Sequence, residues 1–439
     1  MRSEKISRTN PKIADVLSRL QKLHPQNIDL GLNRTFKLLE KLGNPQNNLP
    51  PVIHIAGTNG KGSTLSFIQA ILESAGLTVH RYTSPELVKF NERYIISGKE
   101  ISDDDLLKYL ELAEQVNNGD AITFFEITTA ICFKMFADNK ADVVLLETGM
   151  GGRLDSTNVV PNTAVNIISN ISLDHQDFLG DNLEKIATEK SGIIRPQASV
   201  VISPQNDINV DATIISVANA VGGNINAHKL NWEYELLDDG FVLHTKKGSY
   251  KLPTPNLVGL HQYDNASSAV VACQELSRVG IKIDSVHFET GLKNAIHRAR
   301  FEKINIPNIG KDIYLDGGHN PSAGLKIAEN LKALGGVKVS LICGMLSGKD
   351  VDNFIKPLKP YILNVYTVTI KDNPFSSTPA IKADELSQHI SNLGLKSNPC
   401  ETLQQALVNA DNDDANIILC AGSLHLAGNA LDLLSNHIK

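Results

Sequence analysis

The residues best suited to chemistry lie in HIAGTNGKGST, which spans residues 54–64. A β-branched run precedes the glycines and apolar residues at helical spacing follow them, so the glycines fall in a turn between a strand and a helix. Such a turn directs backbone N–H groups and the positive end of a helix at one point, and glycine leaves room for an anion. Lys61 adds a mobile positive charge. The stretch therefore predicts a loop that binds the phosphates of a nucleotide.

This loop departs from the strict G-x-x-x-x-G-K-[ST] phosphate-binding pattern. Ile55 stands where the first glycine belongs, and Gly62 separates the lysine from the hydroxyl of Ser63. The alternative is a glycine-rich turn that binds nothing. The lysine and the paired hydroxyls at the start of the helix favour phosphate binding.

A carboxylate follows a second predicted strand. In ADVVLLETGMGGRLDSTN, residues 141–158, Glu147 ends an apolar run and a glycine loop comes next. A carboxylate at a strand end beside a phosphate loop is well placed to hold Mg²⁺, directly or through water. The alternative is that Glu147 only caps the turn.

Three further segments carry polar residues at strand or helix ends. His175 follows a predicted strand in NIISNISLDHQDFLG, as a metal ligand or a structural hydrogen-bonding residue. Lys190 lies near the end of a predicted helix, where most lysines are solvated. Asp316 and His319 lie in YLDGGHNPSAG, where an aspartate could bond a ribose hydroxyl and the histidine could face phosphates, unless the segment is only a capped turn.

The elements that must position these residues repeat along the chain. Apolar, β-branched runs alternate with helical patterns, which predicts a mostly parallel sheet with helices on both faces. The predicted strands are Val52–Ala56, Val79–Thr83, Asp142–Glu147, Ala164–Ser169 and Ser199–Ser203. The segment from Asn224 to Pro255 alternates and has turns at Asp239-Gly240 and Lys247-Gly248, which predicts appended antiparallel hairpins.

The alternation of predicted strands and helices begins again after residue 300. Its strands are predicted at Ile313–Leu315, Val337–Cys343, Val365–Ile370 and Ile417–Cys420. We therefore predict an α/β protein with two domains: a large P-loop-type domain, residues 1–299, and a smaller Rossmann-like domain, residues 300–439. A cleft between two such domains is a common place for a ligand site.

Composition limits the partners. The 439 residues carry a net charge of −6, which argues against nucleic acid as the main partner. The five cysteines form no C-x-x-C pair, and their apolar surroundings indicate buried thiols in a reducing compartment. No run of eighteen apolar residues occurs, and we see no targeting segment. We expect a cytoplasmic monomer that contacts neither nucleic acid nor membrane.

Nine blocks of residues, in order, carry a resemblance that spans nearly the whole chain. Together they are similar to the folylpolyglutamate synthase and dihydrofolate synthase family of the Mur ligase superfamily. The blocks are GTNGKGS, YTSPELVKFNERY, TFFEITTA, ETGMGGRLDSTN, SLDHQDFLG, EKSGIIRP, ARFE, DGGHNPSA and GSLHLAG.

The resemblance implies roles for individual residues. ATP would be held by Gly57, Thr58, Asn59, Gly60, Lys61, Gly62, Ser63, Asn265, Arg300 and Asp316. Two Mg²⁺ ions would be held by Ser84, Glu147 and His175, and Lys190 resembles a lysine that is carbamylated in the family. Lys61, Lys190 and His319 would serve catalysis.

The resemblance also implies a pteroate site. Its residues would be Asp29, Leu30, Gly31, Thr123, Phe124, Phe125, Glu126, Leu154 and Asp155. Phe125 could stack on a pterin ring or belong to the core. Three positions depart from the family pattern: Glu86 in place of histidine, Gly318 in place of alanine and His425 in place of tyrosine. Glu86 adds a negative charge beside the substrate loop.

The implied activity is ATP-dependent ligation of L-glutamate to dihydropteroate, to reduced folates or to both, through an acyl phosphate. The alternatives are a monofunctional folylpolyglutamate synthase and another Mur-type acid–amino-acid ligase. A peptidoglycan-type ligase would require a uridine-nucleotide domain, which we do not find before residue 50. A nucleotide-switched binding protein and a folate-binding protein without catalysis are further rivals. The N-K-x-D motif of GTPases is absent, and the presence of Lys190, Glu147 and His175 argues against lost catalysis.

Overall fold

A computed structural model describes residues 9–25, 28–371 and 378–436. Its strands are, in chain order, β1 Val52–Ala56, β2 Val79–Tyr82, β3 Tyr94–Ile96, β4 Lys99–Glu100, β5 Val143–Glu147, β6 Val165–Ile168, β7 Ser199–Ile202, β8 Asn224–Ala227, β9 Trp232–Leu237, β10 Gly240–Thr245, β11 Gly248–Pro253, β12 Glu302–Ile304, β13 Ile313–Leu315, β14 Val339–Cys343, β15 Ile362–Val368, β16 Ser397–Cys400 and β17 Ile417–Ala421.

Helices separate most of the strands. They are α1 Pro11–Gln21, α2 Asn33–Lys41, α3 Lys61–Ser74, α4 Asp103–Asn117, α5 Phe124–Asp138, α6 Gln176–Leu179, α7 Leu183–Ser191, α8 Ile208–Val221, α9 His261–Glu275, α10 Ser285–Asn294, α11 Pro321–Ala333, α12 Val351–Ile355, α13 Ala383–Asn392, α14 Leu403–Asp411 and α15 Leu424–Asn436.

The largest sheet has eight strands in the order β4-β3-β2-β5-β1-β6-β7-β8. The strands from β2 to β8 in this order run parallel, and β3 and β4 add an antiparallel edge. Central strands are apolar on both sides because helices cover both faces. In β5, Val143 and Leu145 pack with α3, α9 and α10, whereas Val144 and Leu146 pack with α1, α4 and α5. The predicted parallel sheet is confirmed.

The appended strands differ in one part from the prediction. Asn224–Ala227 is the eighth strand of the large sheet and pairs in parallel with β7, so its assignment to an antiparallel hairpin was wrong. β9, β10 and β11 form the predicted antiparallel meander, and its turns, Asp238-Asp239 and Lys246-Lys247, lie one residue earlier than predicted. The strand Asn224–Ala227 continues the alternation of strands and helices, because α8 precedes it and brings the chain back to the edge of the parallel sheet.

The second sheet has six strands in the order β12-β13-β17-β14-β15-β16. Its strands run parallel except β12, which pairs antiparallel with β13. Helices cover both faces, since Ile342 and its neighbours Leu341 and Cys343 belong to different core clusters. The two sheets confirm the predicted α/β class, while the boundary at residue 300 stays a prediction.

Two compositional expectations can be compared with the structure. All five cysteines are buried and free, as expected for thiols inside a core. No helix in residues 9–25, 28–371 and 378–436 has the length and apolar character needed to cross a bilayer.

Candidate active site

The glycine loop joins the middle strand of the large sheet to a helix. β1 ends at Ala56 and α3 begins at Lys61. Gly60 caps the helix with φ of 90°, and a Cβ there would lie 2.4 Å from Asn265 Oδ1. Glycine suits this position because the φ is left-handed and because any side chain would displace that of Asn265 on α9. The strand-loop-helix arrangement predicted for the phosphate loop is confirmed.

Two lysines converge on the start of this loop. Lys61 Nζ and Lys190 Nζ each donate to the carbonyl oxygen of Gly57, both at 3.0 Å. Lys190, on α7, is only 4 % exposed. Burial, with the nearby charge of Lys61, lowers the pKa of Lys190 to about 7. Lys190 is therefore not a solvated helix lysine, and about half of its amino groups are neutral at neutral pH.

Glu147 ends β5 beside the loop and is 6 % exposed. Burial raises the pKa of its carboxyl group, an effect that Lys61 opposes. Its hydrogen bond from the backbone N–H of Ser84 is long, at 3.4 Å. A buried carboxylate held this weakly fits a hard divalent cation. Across the described segments, no cluster of three or more His, Cys, Asp or Glu forms a metal site, so the predicted ligands remain a prediction.

A cavity of about 270 Å³ opens above the loop between the two sheets. Residues of the large lobe line one side, and Arg300 together with residues that follow β13 lines the other. Every residue that we predicted to contact the nucleotide, apart from Gly57, lies in its wall: Thr58, Asn59, Gly60, Lys61, Gly62, Ser63, Asn265, Arg300 and Asp316. Gly57 lies beneath the loop, where a Cβ would come 1.9 Å from Ser169 Oγ.

Asp316 and His319 follow β13 on the far side of the cavity. The Asp316 carboxylate accepts hydrogen bonds from the backbone N–H groups of Phe301, at 2.9 Å, and Gly318, at 2.7 Å. His319 Nδ1 lies 3.1 Å from the carbonyl oxygen of Gly317. Burial and the charge of Lys349 lower the pKa of His319 to about 4, so the imidazole is neutral at pH 7.

Two polar contacts join the lobes across the cavity, and the sequence analysis missed both. Asn320 Nδ2 donates to Asn59 Oδ1 at 3.2 Å, and Lys349 Nζ donates to Asp174 Oδ1 at 2.9 Å. Lys349 lies in the loop after β14, a predicted strand, so the strand-end rule could have identified it. The charges of His175 and Lys349 outweigh burial and hold the pKa of Asp174 below its usual range.

A second cavity, of about 240 Å³, lies beside the first. Its lining includes eight of the nine residues predicted to bind substrate: Asp29, Leu30, Gly31, Thr123, Phe125, Glu126, Leu154 and Asp155. Phe124 differs, because it is 8 % exposed, packs edge-on against Phe90 and is not among the described lining residues. Its ring packs in the core, and its predicted role in substrate binding stays a prediction.

Arg34, which the site prediction omitted, ties two walls of this cavity together. Its Nε donates to Glu126 Oε2 at 2.9 Å, and its Nη1 donates to Asp29 Oδ2 at 2.9 Å. Its Nη2 donates to the carbonyl oxygen of Asp29 at 2.7 Å. Arg34 thereby fixes the 28–31 loop to the start of α5. Arginine at the end of IDLGLNR was visible in the sequence, but its partners are distant along the chain.

The structure shows the partner of Glu86, which stands where a histidine was expected. Glu86 Oε2 accepts from Arg93 Nε at 2.6 Å, and both side chains are buried. Arg93 itself lines the second cavity and stacks over Phe90. Burial acts to raise the pKa of the Glu86 carboxyl, but Arg93 outweighs it and the pKa is lowered. The extra negative charge is thus neutralised next to the cavity.

The two cavities meet at a shared wall. Ser84, Pro85, Gly149 and His175 line both of them. Two of these four, Ser84 and His175, are predicted metal ligands, and the third predicted ligand, Glu147, lines the larger cavity. The two cavities therefore adjoin at the predicted metal ligands.

Comparisons with known proteins show what the chain is similar to. Residues 55–273 match the Mur ligase middle domain, and residues 299–424 match the Mur ligase glutamate ligase domain. A dihydrofolate synthase/folylpolyglutamate synthase of Escherichia coli is 30% identical over 96% of this chain and 95% of its own.

Two solved structures share the fold. E. coli FolC in complex with DHPP and ADP has a TM-score of 0.86 and 29% identity, over 97% of this chain and 98% of that one. A bifunctional folylpolyglutamate synthase/dihydrofolate synthase with Mn, AMPPNP and L-glutamate bound has a TM-score of 0.83 and 28% identity, over 98% and 100%.

Proposed function

The chain belongs to the dihydrofolate synthase/folylpolyglutamate synthase family of Mur ligases, and we propose that it adds L-glutamate to dihydropteroate and to reduced folates at the expense of ATP. The bifunctional activity is our first choice. A monofunctional folylpolyglutamate synthase is the alternative, and another Mur-type acid–amino-acid ligase is a more distant one. The relatives over the whole chain support the glutamate ligase reaction, and the two adjoining cavities support the pairing of substrates.

One observation carries the proposal: the cavity with the phosphate loop and the cavity with Phe125 share the wall formed by Ser84, Pro85, Gly149 and His175. A pterin held at Phe125 would extend its carboxylate toward this wall. The terminal phosphate of ATP, held at Lys61, would reach it from the other side. Nucleophile and phosphorus would then be held in position for in-line transfer, which replaces a costly encounter in water.

The first step forms an acyl phosphate. A carboxylate oxygen of the folate attacks the γ-phosphorus of ATP, the bond to the bridging oxygen breaks and ADP leaves. Lys61 balances charge on the transferring group, and loop N–H groups hold the remaining phosphate oxygens. Bound Mg²⁺ at Ser84, Glu147 and His175 would neutralise part of the phosphate charge. We propose two such ions, as the resemblance implies.

The second step forms the amide. The neutral amine of glutamate attacks the acyl carbon, the bond from that carbon to the phosphate oxygen breaks, and the departing phosphate takes up the proton that the amine loses. The neutral imidazole of His319, on the far side of the cleft, can accept a hydrogen bond from the attacking amine. The Asn59 and Lys349 contacts hold the lobes together, which limits the access of water to the acyl phosphate.

We propose that Lys190 is carbamylated. A carbamate forms when a neutral amine attacks carbon dioxide, and a buried lysine with a pKa of about 7 supplies that amine at neutral pH. The product is a carboxylate in place of an ammonium. It would remove the repulsion between Lys190 and Lys61 and place an anion beside the metal site.

Product analysis tests the proposal. The protein is incubated with ATP, MgCl₂, L-glutamate and either 7,8-dihydropteroate or tetrahydrofolate, and products are identified by liquid chromatography and mass spectrometry. We expect a glutamylated product and ADP with each acceptor. A product with tetrahydrofolate alone would select the monofunctional alternative, and ADP without amide from any folate would refute both.

We further propose that the enzyme works as a monomer in the cytoplasm, with small-molecule substrates and without nucleic acid or membrane partners. Light scattering after size exclusion, at several protein concentrations, tests the oligomeric state. A mass of twice the chain mass of 47.7 kDa would contradict it.

A further inference from the structure

We propose that His297 is a positioning residue for the phosphate loop, acting through the Ser63 hydroxyl and the backbone of Gly62. The inference rests on the proposed nucleotide site but concerns a residue to which neither the family resemblance nor the sequence patterns assign a role. His297 lies in the irregular segment between α10 and β12, where the chain passes from the large lobe to the second sheet.

The first observation is a direct contact. Ser63 Oγ and His297 Nδ1 are 3.2 Å apart, and Ser63 is 3 % exposed. Ser63 is the third residue of α3 and lines the cavity at the phosphate loop. A neutral imidazole whose Nδ1 accepts from the hydroxyl would fix the Ser63 rotamer and leave the lone pairs of its oxygen toward the cavity.

The second observation explains the glycine that breaks the strict phosphate-loop pattern. A Cβ on Gly62 would lie 2.6 Å from His297 Cε1 and 2.9 Å from its Nε2. The imidazole therefore lies directly against the Gly62 backbone and fills the space that a side chain would take. Because φ at Gly62 is not positive, this close approach, rather than backbone conformation, is what demands glycine.

The third observation is that the segment is strongly held. Ala299 and Phe301 are buried and have φ of 57° and 48°, in the left-handed region that non-glycine residues rarely adopt. Hydrogen bonds fix this shape, since Glu302 accepts from the Ala299 N–H at 2.8 Å and Asp316 accepts from the Phe301 N–H at 2.9 Å. A segment fixed in this way can hold an imidazole against a loop.

The position of His297 assigns it an indirect role. Gly62, Ser63 and Arg300 line the nucleotide cavity, whereas His297 is not among the described residues of that wall. It therefore supports the loop from the side away from the ligand. Arg300, three residues later, enters the cavity, so one short segment contacts both the loop and the space that the loop surrounds.

Three single variants test the inference: His297→Leu, His297→Asn and Gly62→Ala. The dissociation constant of MgADP is measured by calorimetry, and Michaelis constants are measured for ATP, L-glutamate and 7,8-dihydropteroate. Leucine fills space but cannot accept a hydrogen bond, so we expect MgADP binding and the ATP constant to weaken about tenfold. The constants for the other two substrates should change less than about twofold.

Asparagine provides the matched control because its Oδ1 can replace Nδ1 as the acceptor. We expect His297→Asn to bind MgADP within about threefold of the wild type. Asparagine also lacks the atoms that would contact a Cβ at position 62. Gly62→Ala should thus weaken MgADP binding strongly alone and clearly less when combined with His297→Asn.

The inference is overturned if His297→Leu binds MgADP as the wild type does, if His297→Asn is as weak as His297→Leu, or if Gly62→Ala has the same effect in both backgrounds. Melting temperatures identify variants that fail to fold. If His297→Leu fails to fold, the effects of Gly62→Ala in the wild-type and His297→Asn backgrounds decide. If the wild type itself does not bind MgADP, the proposed function fails instead. Wild-type binding with unaffected variants refutes only the role of His297.

Discussion

Lys61 and Lys190 donate to the same acceptor, the carbonyl oxygen of Gly57, each from 3.0 Å. Burial lowers the pKa of Lys190, and the repulsion between two ammonium groups that share one oxygen lowers it further. The relationship links the phosphate loop to α7. It also explains why a lysine far from the loop in sequence belongs to the same site.

The first prediction concerns the titration of Lys190. Its pKa of about 7 lies below the ordinary lysine value, so the neutral fraction rises as pH increases from 6 to 8. Carbamylation should rise over the same interval at constant dissolved carbon dioxide. ¹³C NMR with labelled bicarbonate measures the carbamate signal. Lys190→Ala serves as the control, and a signal that persists in that variant would place the carbamate elsewhere.

The second prediction concerns Lys61. Replacement by methionine removes the charge that faces the phosphates and should lower kcat/KM for ATP by about a hundredfold or more. Because Lys61 depresses the pKa of Lys190, the same variant should shift the carbamate titration to higher pH. Binding of 7,8-dihydropteroate should be unchanged. An unshifted titration would show that the two lysines are not electrostatically coupled.

The third prediction separates two adjacent phenylalanines. Phe125 lines the substrate cavity, whereas Phe124 packs against Phe90 in the core. Phe125→Ala should raise the Michaelis constant of the folate about tenfold, through lost ring stacking, with little change in melting temperature. Phe124→Ala should instead destabilise the fold by about 3 kcal/mol and leave that constant nearly unchanged. Steady-state kinetics and urea denaturation measure the two effects, and the reverse pattern would contradict the geometry.

Local features of the site were predictable from the sequence, because they depend on residues close along the chain. The strand, the glycine turn and the helix that begins at Lys61 form one continuous segment, so their order was enough. The strands that end near Glu147 and Asp316 were also predictable from the order of residues along the chain. The edge strand Asn224–Ala227 was misplaced because its polar alternation resembles a hairpin strand, whereas its partner residues in β7 come 25 positions earlier, as in the pair Ser199 and Asn224.

Contacts between distant segments were not predictable. Phe124 and Phe125 are equally apolar, and only the packing of α5 decides which one faces the cavity. No sequence pattern marked Arg34 as a site residue, because its partner Glu126 lies 92 residues later. Likewise, the charge at Glu86 looked like an addition to the substrate site until its partner Arg93 was located. The family resemblance supplied roles, but it could not supply these pairings.

The fourth prediction concerns the buried Glu86 and Arg93 pair, whose side chains are 7% and 8% exposed. Glu86→Gln would leave the guanidinium of Arg93 buried without a counter-charge, which should cost about 3–5 kcal/mol of unfolding free energy. Asp239→Asn, in the exposed pair with Lys251, is the control and should have no measurable effect. Urea denaturation compares the variants. A Glu86→Gln protein as stable as the wild type would mean that Arg93 finds another partner.

The fifth prediction concerns Lys349, which joins the lobes through Asp174. Lys349→Met should loosen the closed cleft and admit water, because a low-exposure ion pair between the lobes is lost. The acyl phosphate would then be hydrolysed before the amine attacks, and the ratio of ADP to glutamylated product should rise above its value of about one in the wild type. Lys303→Met removes an exposed lysine of the same lobe and should keep the wild-type ratio. Product counting by chromatography measures both, and a coupled reaction in Lys349→Met would show that this contact does not help to exclude water.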